Sequence, residues 1–191
     1  MNRPKDRSNA VRDTDPWRAP VIVAQIPDIG LHREIEASAH AREVMAEAAG
    51  LREILSAHAS FDVAPKSGGR VHVTGRVQAR VGQICVVTLD PIENDLDEEV
   101  DLMFAPQDEV RHLADLIEEG QDSPGAEMPE PPEPIINGVI DLGRLATDVL
   151  YLAIDPYPRK QGVIFEPQVT SDPEDRPFAA LKALRERPKE K

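Results

Sequence analysis

The chain has 191 residues, a formal net charge of −13, 40% apolar residues, seven aromatic side chains and one cysteine, Cys85. That size suits one domain, or one domain with long polar tails; the lone thiol excludes an internal disulfide or a multi-cysteine zinc site, and no apolar run approaches the roughly 20 residues that cross a bilayer. The charge is concentrated: sixteen Asp or Glu and one Arg, Arg111, lie between Asp90 and Glu133, so the remaining residues are close to neutral. A field placed this way steers a basic partner to that stretch and repels a phosphate backbone.

Residues 1–16 are polar, carry Arg3, Lys5, Arg7 and Arg12, and lack the apolar core of a secretory signal. They are expected to form a disordered basic arm on a cytoplasmic protein, with Trp17 as the first anchor onto the domain. Pro20 to Pro27 (PVIVAQIP) reads as a strand, because β-branched residues cluster between two prolines. Ser38 is placed to cap a helix to about Ala49, with Ala41, Val44, Met45 and Ala48 at helical spacing and Gly50 as its stop.

The next fifty residues are β in character. Leu55, Ala57, Ala59, Phe61 and Val63 alternate with polar residues, and Lys66-Ser67-Gly68-Gly69 ends the run. Val71, Val73, Gly75, Val77, Ala79 and Val81 then alternate with His72, Thr74, Arg76, Gln78 and Arg80. A third run, Ile84 to Leu89 (ICVVTL), is apolar throughout and reads as a strand buried on both sides or one that changes partners. In the fourth, Ile92, Leu96, Val100, Leu102 and Phe104 alternate mostly with Glu93, Asp95, Asp97, Glu99 and Asp101. Short turns between the four runs predict an antiparallel meander. A two-residue turn at Gly82-Gln83 conflicts with it, because Cys85, Val87 and Leu89 would then share the face of Arg76 and Arg80. A longer turn or a bulge would remove the conflict.

Asp108 is placed to cap a short helix in which Val110, Leu113, Ala114 and Ile117 share a face. Gly120 to Pro134 carries five prolines and reads as an acidic linker. The best helix in the chain follows, from about Leu142 to Ile154, with Leu142, Leu145, Ala146, Val149, Leu150 and Ala153 as its apolar stripe and Pro156 as its stop. Near the end, Pro177 suits a first helical position ahead of Phe178, Leu181 and Leu184, accompanied by Lys182 and Arg185.

No phosphate loop, HExxH pair or nucleophile elbow is present, and the five histidines, His32, His40, His58, His72 and His112, lack metal-ligand spacing. No catalytic residue, metal site or cofactor is assigned. The run Asp90 to Asp101 lacks the glycine and terminal glutamate of an EF-hand loop. Its Asp95, Asp97, Glu99 and Asp101 read as a solvated strand face, as a docking surface for a basic protein or, least of the three, as a divalent-metal site. The opposite sign has its own candidate: Arg70, Arg76 and Arg80 share parity with His72, Thr74 and Gln78, so a continuous strand spaces successive members by about 6.6 Å. Such a row can contact phosphates; alternatively, Arg76 and Arg80 pair with the acidic strand nearby. No stacking aromatics interleave it, as they do on many nucleic-acid platforms.

The segments Val73 to Phe104, Gly138 to Lys160 and Asp175 to Leu184, with an acidic insert between the first two, resemble the YceD family of large ribosomal RNA subunit accumulation proteins. The features that carry the resemblance most specifically are Gly75, Gln83-x-Cys85, Asp141-Leu142-Gly143 and the closing DRPFAALKAL. Many members have a cysteine cluster after the helix; this chain has Asp155 to Pro167 there, without cysteine. The resemblance implies a cytoplasmic factor in ribosome assembly and supplies no mechanism.

The expected fold is α+β: an antiparallel sheet, meander or partly closed barrel, packed by a few helices, in one domain over 17–184 with a charged tail at 185–191. The expected function is a noncatalytic ribosome-biogenesis factor that binds a basic ribosomal protein and/or ribosomal RNA of the large subunit. A direct RNA-binding module is the alternative, and a metal-dependent ribosomal RNA hydrolase a third reading.

Overall fold

A computed structural model describes residues 15–120 and 131–165. In chain order its elements are β1 (Pro20–Ile22), β2 (Leu31–Glu36), α1 (Ala39–Ala49), β3 (Glu53–Pro65), β4 (Val71–Ile84), β5 (Pro91–Pro106), α2 (Gln107–Gly120), β6 (Glu133–Ile135), β7 (Val139–Asp141) and α3 (Leu142–Ala153). Strands β2 to β6 form an open five-stranded sheet in sequence order, and β1 pairs with β7 in a separate two-stranded ribbon. The class is α+β. The meander holds from β2 through β5, whereas β6 runs parallel to β5 over three residues at its end. The sheet does not close into a barrel.

Alternation dictates which side is buried. Ala57, Ala59, Phe61 and Val63 of β3 and Val71, Val73, Val77, Ala79 and Val81 of β4 point into one core, joined by Val100 and Phe104 of β5. Helices α1 and α3 cover that side and meet each other: the Tyr151 hydroxyl donates to the Met45 carbonyl at 3.2 Å, and Thr147 touches Met45. Helix α1 starts at Ser38, whose hydroxyl accepts the Ala41 N–H, and ends at Gly50, which adopts φ 66. Its buried residues are Ala41, Met45 and Ala46, so the helix is turned slightly from the predicted stripe and Ala48 is exposed.

Several boundaries differ from expectation for identifiable reasons. The strand expected over Pro20 to Pro27 stops at Ile22 and gives way to a 3-10 turn at Val23–Gln25, because β7, with which it pairs, is three residues long. Strand β2 carries no strong sequence signal, since only Leu31 and Ile35 among its six residues are apolar. A bulge between Ile54 and Ser56 turns Ile54 into the core and leaves Leu55 exposed, reversing the predicted inward residue.

The largest correction concerns the hairpin between β4 and β5. Strand β4 runs straight through Gly82 and Gln83 to Ile84, pairs Ile84 with Pro91, and turns over Cys85 to Asp90. Thus ICVVTL is chiefly a six-residue loop and not a strand, and the register conflict disappears. The loop is closed by Cys85 N–H to the Asp90 carbonyl and Leu89 N–H to the Cys85 carbonyl, both 2.9 Å, with Leu89 in the left-handed region at φ 61.

Asp141 organises the other end. Its carboxylate caps α3 by accepting from Gly143 N–H (3.1 Å) and Arg144 N–H (3.3 Å), and also accepts from Ala19 N–H at 2.9 Å. Gly143 packs so closely on the Trp17 backbone that a Cβ would overlap it, while Leu142 is fully buried. The Asp141-Leu142-Gly143 sequence is therefore a cap, a core anchor and a close approach in succession. Trp17 is buried, as expected of the first anchor.

Helix α2 includes Asp108 in its first turn, with Gln107 preceding it as the first helical residue. The proposed linker ends earlier than Pro134, because Glu133–Ile135 is β6. Most of the basic arm, residues 121–130 of the linker, the closing helix at Pro177 to Leu184 and the tail at 185–191 lie outside the described residues. On α3, Leu142, Ala146 and Leu150 are buried, but Leu145 and Val149 are only half-buried. We therefore expect Leu150→Ala to cost about 2–5 kcal/mol in urea unfolding, and Ile29→Ala, at a 98% exposed position, less than about 0.5 kcal/mol.

Candidate functional site

The outer side of the sheet is polar because of register. In the β4–β5 pair, Arg76 lies opposite Glu99, Gln78 opposite Asp97 and Arg80 opposite Asp95. Every even-numbered polar residue of β4 therefore meets an odd-numbered residue of β5, and the predicted basic and acidic rows form one face. Arg76 bonds Asp97 at 3.2 Å and also Glu99. Arg80 reaches Glu93 at 2.7 Å and Asp95 at 3.9 Å, and Gln78 donates to Asp97 at 3.2 Å. His72 Nε2 is 2.6 Å from Asp101 Oδ1. Arg70 precedes β4 and pairs with Glu109 of α2. These pairs are exposed and screened by solvent, so each is individually weak; slipping the register by one residue would turn the acids into the core.

The structure thus brings Asp95, Asp97, Glu99 and Asp101 together with Arg76 and Arg80, and places Arg70 at the margin. It also adds residues that the sequence did not single out. Pairing of β2 with β3 sets His32 opposite Asp62, Glu34 opposite Ser60 and Glu36 opposite His58, on the same outer side. The available signal was their parity, weakened by the shortness of β2. Across β2 to β5 the face carries nine acids (Glu34, Glu36, Glu53, Asp62, Glu93, Asp95, Asp97, Glu99 and Asp101) and two guanidinium groups, Arg76 and Arg80. Pairing neutralises both arginines locally and leaves an acidic surplus.

At the hairpin end of this face a small polar knot ties the chain after α3 to the sheet. Gln83, buried on the core side, donates from Nε2 to the Asp155 carbonyl at 2.9 Å and accepts from Asn94 at 2.7 Å. Cys85 Sγ accepts from Lys160 N–H at 3.4 Å and Thr88 N–H at 3.5 Å, while Lys160 Nζ pairs with Asp90 at 3.2 Å. Hydrogen bonds from the Thr88 side chain and from the Lys160 and Thr88 backbones draw the thiol down to about 6, against the opposing effect of burial. The side chain is nevertheless completely enclosed, and an enclosed thiol is a structural acceptor, not an accessible nucleophile. Among the described residues no three His, Cys, Asp or Glu side chains gather as a metal site would require.

The family model described as Large ribosomal RNA subunit accumulation protein YceD matches residues 73–185. The chain belongs to the YceD family. The match covers nearly all of β4, the acidic strand β5, the Gln83 and Cys85 knot and the Asp141 cap, so Gln83, Cys85 and Asp141-Leu142-Gly143 have defined structural work in this fold. No curated protein and no solved structure matches the chain. No described helix is long and apolar enough to cross a membrane.

The face also contains a group suited to titration. His32 Nδ1 lies 2.8 Å from Asp62 Oδ1 and its Nε2 3.9 Å from Glu34. The Asp62 hydrogen bond, reinforced by the charges of Asp62 and Glu34, raises its pKa above the ordinary 6.5. A raised histidine favours the folded state below the unfolded pKa and loses that contribution as pH rises through the folded value. In an NMR titration we expect the His32 midpoint to lie above 6.5 and to fall toward it in Asp62→Asn; an unchanged midpoint would show that the pair is not formed in solution.

Proposed function

We propose that this YceD-family chain supports accumulation of large-subunit ribosomal RNA as a noncatalytic, cytoplasmic assembly factor, with its acidic sheet face binding a basic ribosomal protein. The observation that carries the reading is the composition of that face: nine carboxylates against two arginines, both of which already hold carboxylate partners. Such a surface attracts a cationic protein and accelerates its encounter. Direct RNA binding through Arg70, Arg76 and Arg80 is the weaker reading, because a phosphate would have to displace Glu109, Asp97, Glu99, Glu93 or Asp95 from those side chains while entering their field. A metal-dependent hydrolase would need carboxylates converging on one point, whereas the acids of β5 stand two residues apart along a strand.

The test compares the intact protein with a variant carrying Asp95→Asn, Asp97→Asn, Glu99→Gln and Asp101→Asn, using large-subunit ribosomal proteins freed of RNA and, separately, protein-free large-subunit ribosomal RNA. The variant should keep its circular dichroism spectrum, associate with the basic proteins at least about tenfold more slowly at low salt, and fail to restore large-subunit ribosomal RNA in cells lacking the gene. Tighter RNA binding by the intact chain, abolished by Arg76→Ala with Arg80→Ala and steeply salt-dependent, would favour direct RNA recognition.

A further inference from the structure

On the opposite side of the sheet from the charged face, an open groove of about 690 Å³ runs between α3 and β5. Its apolar lining includes Val100, Leu102 and Phe104 from β5 and Leu145, Val149 and Leu152 from α3. Leu145 and Val149 are half-buried and Leu152 is 88% exposed, so part of the helix stripe that ought to be packed faces the groove. The rim carries Glu133, Asp141 and Asp148 beside Arg18 and Arg144, which pair with Asp141 and Asp148, and at the β5 edge Glu99 and Asp101 of the outer face reach it, so acids outnumber cations around the opening. Strand β6 covers the β5 edge only at Phe104–Pro106; among the described residues, nothing pairs with that edge over 91–103.

We propose that this groove receives the chain's own C-terminal segment, residues 177–187, as a short amphipathic helix. The segment has the complementary chemistry: Phe178, Leu181 and Leu184 recur every three residues, and Lys182, Arg185 and Arg187 adjoin them against one acid, Glu186. Apolar side chains would fill the space between Val100, Leu102, Leu145 and Val149, while the cations meet Glu133 and share Asp148 with Arg144 at the rim. The path is long enough. The chain leaves Phe165 after Lys160 is tied to Cys85 and Asp90 at the hairpin end of the sheet, and the twelve residues 166–177 span up to about 40 Å when extended. Helix α3 itself is only about 18 Å long. The family match likewise runs through both groove walls and continues to residue 185. Seated there, the segment would complete the second side of α3 and leave the charged face as the surface open to a partner. This inference does not rest on the identity of that partner.

Hydrogen exchange on the full-length chain tests it, with a full-length variant carrying Phe178→Asp and Leu181→Asp as comparison. The variant should lose amide protection at 178–185 and along both groove walls, 99–104 and 145–152, while β3 and β4 stay protected. A synthetic peptide of residues 175–188 added to the variant should restore wall protection, and the same peptide with Asp at 178 and 181 should not. Leu152→Asp, at an exposed site that does not threaten the fold, should reproduce the loss in the otherwise intact chain. Identical exchange of the walls in the intact and double-variant chains, or failure of the unmodified peptide to protect them, would overturn the proposal. So would wall protection that vanishes on dilution of the intact chain, since that would make a second copy the occupant.

Discussion

The register between β4 and β5 is the constraint on which the rest depends. One alignment, Arg76 opposite Glu99, sets Val77 and Val81 inward and Arg76 and Arg80 outward on one strand while directing Asp95, Asp97 and Glu99 outward on the other. Because side chains alternate with a period of two, no intermediate arrangement exists: a single-residue slip would bury four or five carboxylates and expose the valines. The ion pairs across this register are individually weak, but they add to a preference that the buried valines already impose. Core and charged face are thus two consequences of the same pairing.

A second constraint joins the ends of the described chain. Asp141 satisfies N–H groups at the start of α3 and that of Ala19, in the segment before β1 that carries Trp17 inward, so a helix cap and a long-range tie share one carboxylate. Gly143 allows the Trp17 backbone to approach, and the β1–β7 ribbon holds the two segments in place. At the far end of the sheet Gln83 and Cys85 perform the corresponding task, accepting and donating bonds that pin residues 155–160 to the hairpin. Asp141, Gly143, Gln83 and Cys85 are therefore positions where distant parts of the chain are fastened together.

The two sides of the sheet differ in what they can recognise. The outer side is acidic, solvated and built for long-range attraction, with a salt-sensitive reach of about 8 Å at physiological ionic strength. The inner side, where α3 only partly covers β5, is apolar at its floor and acidic at its rim, a combination that selects a cationic amphipathic segment by contact. The two surfaces meet only at the β5 edge, where Glu99 and Asp101 border both, so a segment seated between α3 and β5 leaves most of the outer side uncovered.

Much of this was legible in the linear chain. Strict alternation from Ala57 to Val63 and from Val71 to Val81 specified two strands and their buried faces, Ser38 and Gly50 bounded α1, and the apolar spacing after Asp141 specified α3, because these signals are local and rest on backbone periodicity. Parity also grouped Asp95, Asp97, Glu99 and Asp101, and separately Arg76 and Arg80. Parity left two readings of the basic row, phosphate contact or pairing with the acidic strand; strand pairing decided for the second and added Glu34, Glu36, Glu53 and Asp62 from β2 and β3. Composition misdirected the reading of ICVVTL, whose apolar residues suggested a strand, because the bonds that make it a loop come from Asp90 and from residues 158–160, remote in sequence. The bulge at Leu55 and the short parallel β6 were hidden for the same reason. Local patterning determines which residues can share a side of an element, whereas contacts between distant segments decide where that element ends and what it faces.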